Sequence, residues 1–139
     1  MVLPVISWRR VPAAVLLGEV IPIAVLVAIV ALFGPRDPDG ASAFAQTAGA
    51  WVGPLAGAVV VLLLSAWAGR ASSRPILQGG LIGLAVALLD AGILAASGAP
   101  FAMLFVLSNA GKVIAGTLGG SLSRRWSAQD RPVYSSNGA

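Results

Sequence analysis

Cysteine and histidine are both absent from this chain. Their absence excludes disulfides, thiol nucleophiles, imidazole bases and the metal sites built from either side chain. Charge is scarce as well: Asp, Glu, Lys and Arg make up 10% of the residues, against about 25% in soluble domains. The apolar stretches show no period-2 alternation, which argues against a transmembrane barrel, and no phosphate-binding loop or metal-ligand cluster interrupts them. What is present is apolar surface. With 58% hydrophobic residues and a mean hydropathy of +0.90, the 139-residue chain reads as a protein solvated by lipid.

The net charge of +4 does not point to a nucleic-acid partner, because the basic residues flank apolar segments and form no stripe with exposed aromatics. The apolar residues fall into four spans, about Val11 to Phe33, Ala48 to Ala68, Ile76 to Ala96 and Phe101 to Leu122. Each exceeds the roughly 18 residues that mark a spanning helix, and a spanning segment must satisfy its own backbone groups. The expectation is an all-α integral membrane protein: a four-helix transmembrane bundle over 11–123, with a short segment 1–10 before it and a basic, disordered tail 124–139 after it. The connections Gly34-Pro-Arg-Asp-Pro-Asp-Gly40 and Ala99-Pro100 are dense in turn formers, so neighbouring helices are expected to run antiparallel.

Arginines orient the bundle. Arg9 and Arg10 precede the first span, Arg70 and Arg74 separate the second from the third, and Arg124, Arg125 and Arg131 follow the fourth, whereas the other two connections hold Arg36 alone. The positive-inside rule then puts both termini in the cytoplasm of a plasma-membrane protein. Trp8, Trp67 and Trp126 lie near those arginines, and Phe33, Phe44, Trp51 and Phe101 mark the opposite interface. Arg9-Arg10 before an apolar run, with Ala41-Ser-Ala43 downstream, has the outline of a secretory signal. The run is too long for one and carries Glu19 and Pro22, so it reads as an uncleaved anchor.

Small residues recur at four-residue spacing: Gly49, Gly53 and Gly57 in the second span, Gly79, Gly83, Ala87, Ala91 and Ala95 in the third, Gly116 and Gly120 in the fourth. Such stripes let helix backbones approach, which matters where lipid supplies no hydrophobic incentive to associate. They are expected to pack the bundle, and the stripe of the second span is the best candidate for a homo-oligomer face. Leu55-Ala-Gly57 and Ile114-Ala-Gly116 also align when the two halves are superposed, as a parallel hairpin duplication would require.

Three ionisable residues lie within the spans, Glu19, Asp90 and Lys112. Glu19 sits about 12 Å from the arginine-flanked edge and Lys112 about 14 Å from it, by counting about 1.5 Å per residue. A charge near the bilayer centre costs about 2.5 to 3.5 kcal/mol, so an acid and a base at one depth are expected to pair. Asp90, near 21 Å on the same scale, folds back beside Ser108 and Asn109, one turn from Lys112. Glu19, Asn109, Lys112 and Asp90 together form a polar track of the kind that carries protons or ions. A structural clasp would use the same residues. Pro22 cannot donate to the carbonyl of Gly18, which leaves that carbonyl free to bend the helix or bind an ion, and Pro54 reads the same way. Gln78, Ser65, Thr117 and Ser121 are assigned no role.

The run Gly18-Glu19-Val20-Ile21 in the first of four spans resembles the membrane-embedded glutamate segment of the small multidrug resistance transporters. That resemblance implies proton exchange for cationic drugs across a homodimer. It covers four residues, and the chain departs from the family in its one-sided arginines, its intramembrane Lys112 and its lack of Tyr in any span. The leading functional expectation is a small transport or channel-like protein in which Glu19 and Asp90 titrate or bind ions and Lys112 is a tethered counter-ion. The alternative is a non-catalytic accessory or assembly subunit of a larger membrane complex. An enzyme is the least favoured class, since no nucleophile stands beside a base, and no cofactor is expected.

Overall fold

The computed structural model describes residues 4–98 and 102–129, which are all-helical apart from their connections. Four helices follow in order: α1 Arg10–Phe33, α2 Pro38–Gly69, α3 Pro75–Ser97 and α4 Met103–Gln129. All four are long and apolar enough to cross a membrane. The expected hairpin at Ala99-Pro100, the interfacial Phe101 and residues 130–139 of the expected tail lie outside the described residues, whereas residues 124–129, expected to belong to that tail, continue α4.

Helix α2 differs most from the sequence expectation. It begins at Pro38, ten residues before Ala48, and runs for 32 residues. The turn-rich stretch after Gly34 therefore contributes only residues 34–37 as a connection. The reason is local: Asp37 caps the helix, its side chain accepting from Gly40 N at 2.7 Å, Pro38 occupies the first turn with its fixed φ, and Asp39 complements the helix dipole. At about 1.5 Å per residue, a helix of this length is longer than the roughly 30 Å hydrocarbon layer of a bilayer. Pro75 likewise occupies the first turn of α3, which has no side-chain cap, and α3 stops at Gly98, whose φ of 65° is the left-handed conformation that glycine adopts without a Cβ penalty.

Helix register follows from close approaches between glycines and their neighbours. A Cβ on Gly79 would strike the carbonyl oxygen of Gly116, and one on Gly116 would strike that of Gly79. Gly83 approaches the Lys112 carbonyl in the same sense, with 2.6 Å between that oxygen and the position of a Cβ, and Gly120 meets Pro75. Rising numbers on α3 therefore meet falling numbers on α4, which makes the pair antiparallel. Gly57, Gly119 and Gly69 place α2 beside α4 in parallel, touching Lys112, Leu62 and Ser123 respectively. Helix α1 packs on α2 and α3 and makes no backbone approach to α4, so α1 and α4 stand across the bundle from each other.

Packing is concentrated in one half. Fully buried side chains Ala14, Val61, Ser65, Ala68, Gln78, Ile82 and Val86 all lie toward the end that carries Arg10, Arg70, Arg74 and Arg124. Beyond Asp90 the face of α3 is almost wholly exposed, and Gly53, Gly92 and Gly111 have no neighbouring atom within 4 Å of a notional Cβ. The bundle is a wedge, tight at its arginine-rich end and splayed at the other. The N-terminal segment is tied across the tight end. Ser7 N donates to Gln78 Oε1 at 2.8 Å, Gln78 Nε2 donates to Ser7 O, Ser73 N donates to Pro4 O at 2.9 Å, and Ser72 Oγ donates to Val5 O. Gln78, assigned no role from sequence, is a structural clasp.

Candidate functional site

Glu19, Asp90 and Lys112 come from α1, α3 and α4, and they meet where the tight half of the bundle gives way to the splayed half. Lys112 Nζ donates to Asp90 Oδ2 and lies 3.5 Å from Glu19 Oε1. Lys112 thus engages both acids, and its side chain bridges the gap between α4 and the non-adjacent α1. The lysine side chain is 7% exposed, those of Glu19 and Asp90 12% and 17%. Glu19 Oε1 is buried and accepts no hydrogen bond, so its attachment to the ammonium is coulombic.

Room for the lysine comes from α2. A Cβ on Gly57 would sit 2.9 Å from Lys112 Cε, so glycine at that position leaves the lysine side chain room to reach its two partners. Gly57 belongs to the second-span stripe that was expected to pack the bundle and that offered the best candidate for a homo-oligomer face. Within the chain Gly57 faces Lys112, Gly49 faces Leu26 of α1, and Gly53 borders an open cavity, so the three glycines of this stripe differ in what they meet. The stripe of the third span also splits. Gly79 and Gly83 pack on α4, whereas Ala91 and Ala95 are exposed, because α3 leaves the bundle beyond Asp90.

The cluster forms the inner end of a cavity of about 350 Å³ in the splayed half. Its walls are Pro22, Ile23 and Leu26 of α1, Gly49, Gly53 and Pro54 of α2, and Leu104, Phe105 and Ser108 of α4. Both intrahelical prolines border it. Toward the arginine-rich end the cluster meets a dry layer instead: Gly18, one residue before Glu19, packs on Val86 and Val61, and Ala14 and Ile82 fill the space behind them. Access to the three charges is therefore one-sided.

Asn109 does not join them. Its Nδ2 donates to Phe105 O of its own helix at 3.0 Å, its Oδ1 is buried without a partner, and Ser108 takes the position on the cavity wall. The sequence placed both at the same depth, and only the rotation of α4 separates them. Thr117 and Ser121 likewise donate to carbonyls within their own helix, as hydroxyls in membrane helices commonly do.

Chemically the site holds two carboxylates and one ammonium. With all three ionised it carries one uncompensated negative charge in a low-dielectric setting, where an unpaired charge is costly. One further positive charge neutralises it. Comparison with protein-family models, with curated proteins and with solved structures finds no match for this chain.

Proposed function

We propose that this protein is a small membrane transporter whose Glu19, Asp90 and Lys112 take up and release a proton or a small cation from a cavity reached from one side at a time. The observation that carries this reading is the position of the cluster, between an apolar cavity of about 350 Å³ and a sealed layer of Ala14, Val61, Ile82 and Val86. Lys112 holds the pair of acids together while leaving one negative charge for the transported species. A proton taken up on Glu19 neutralises the cluster and removes the electrostatic tie between α1 and α4, and a cation bound at Glu19 competes with Lys112 for that carboxylate. The two helices are then free to close the splayed half and open the tight one, the rocking by which transporters alternate access. Both termini face the cytoplasm of a plasma membrane in this reading, so the cavity opens outward.

Glu19→Gln tests the proposal. Reconstituted in liposomes with a pH-sensitive dye inside, the wild-type chain should carry protons down an imposed gradient, and the variant should insert and yet carry none. Unchanged flux in the variant would reject the transport role. The second reading, a non-transporting assembly subunit, draws on the splayed half, whose exposed apolar walls suit a partner helix. In that case Glu19→Gln, Asp90→Asn and Lys112→Met combined would leave co-purification with the partner complex intact.

A further inference from the structure

Among the described residues, six arginines gather at the tight end of the bundle, Arg9, Arg10, Arg70, Arg74, Arg124 and Arg125, and no described carboxylate stands among them. Two are engaged by aromatic partners. Arg10 donates to Trp67 O at 2.9 Å and lies 4.8 Å above its ring, and Arg70 lies 4.7 Å above Trp126. Arg74, Arg124 and Arg125 differ: their guanidinium groups bond no described residue, and they border two cavities between α3 and α4, Arg74 the first, Arg125 the second and Arg124 both. These cavities measure about 460 and 410 Å³ and share Ile76 and Arg124 in their walls, so they adjoin and are taken together as the α3–α4 groove.

Three unpaired guanidinium groups around one groove repel each other, and an anion that bridges them removes that cost. The planar fork of arginine matches the oxygens of a phosphate in paired hydrogen bonds. The groove also has an apolar side, where Ile76 and Leu77 are 40% and 50% exposed and continue along α3 into the apolar span. In a membrane-spanning arrangement its level is that of the lipid headgroups, where all four helices carry arginines at or beside their ends. We infer that the α3–α4 groove binds the phosphate of an anionic phospholipid, with Arg74, Arg124 and Arg125 on the headgroup and Ile76 and Leu77 against an acyl chain. A free phosphate would leave that apolar side unused. This site is separate from the charged cluster and stands whether or not the cluster transports anything.

The test is lipid retention by native mass spectrometry, on the full chain in mild detergent with phosphatidylglycerol or phosphatidylcholine added at equal concentration. Phosphatidylglycerol should be retained preferentially by the wild-type chain. Arg124→Gln, which alters both cavities, should weaken retention about fivefold, and Arg124→Lys, which keeps the charge without the fork, should fall between. Arg36→Gln at the far end should have no effect. Equal retention of the two lipids, or undiminished phosphatidylglycerol binding by the triple variant Arg74→Gln, Arg124→Gln, Arg125→Gln, would overturn the proposal. So would displacement of the lipid by inorganic phosphate at equal concentration, which would make the groove a site for free anions.

Discussion

Lys112 is the residue on which the interior depends. Its ammonium holds one carboxylate by a hydrogen bond and a second by charge alone. Removing it by Lys112→Met leaves two largely buried acids facing each other without a counter-charge, and breaking a buried ion pair in this way costs about 3 kcal/mol or more. Thermal unfolding in detergent should show a clear loss of stability for that variant. Adding Glu19→Gln and Asp90→Asn should recover most of the loss, because no charge is then stranded. If the single variant proves as stable as the wild type, the three residues are not a coupled cluster. That a lysine and an acid at one depth would pair was legible in the sequence from residue counting. Its choice of Asp90 as well as Glu19, and the exclusion of Asn109, depended on helix rotation, which apolar segments of uniform composition do not encode in any periodic pattern.

Glycines set the spacing between helices, and their context differs along each helix. Gly79 meets the backbone of Gly116, where no side chain can move aside. Gly79→Ala should therefore force α3 and α4 apart and destabilise by about 1 to 3 kcal/mol, as overpacking does. Gly53→Ala, with nothing within 4 Å of the new methyl, should be neutral or stabilising by up to about 1 kcal/mol through helix propensity. Denaturation midpoints of the two variants check the contrast. The four-residue spacing of small residues announced close packing in the sequence. It did not announce which stripe meets a backbone, which makes way for a lysine and which borders a cavity, since all three use the same residue at the same interval. The capping sequence Asp37-Pro38 was equally readable in principle, and it explains why α2 starts earlier than its apolar stretch.

At the scale of the whole molecule the bundle is asymmetric, sealed near its arginines and splayed at the other end. The absence of native cysteine makes this measurable. Single cysteines at Ala50 or Gly53, beside the cavity, should react with a water-soluble thiol reagent, whereas one at Val61 or Val86, each 0% exposed, should stay unmodified. Labelling at Val61 or Val86 as fast as at Gly53 would mean that the sealed layer is not sealed. With reagent applied to one face of oriented vesicles, the same cysteines report which face the cavity opens on. The proposed topology predicts the face opposite the two tails.

Composition by itself determined that this chain makes four membrane-length helices with most of its arginines flanking them on one side, because hydropathy and charge act residue by residue and need no knowledge of neighbours. It also bounded the chemistry to three ionisable side chains, since nothing else in the spans bears a charge. Tertiary structure alone decided that those three converge, that Gly57 admits the lysine, and that the cavity lies on one side of them. Each of these depends on how the helices are rotated and splayed, and rotation is set by backbone contacts between residues far apart in the chain.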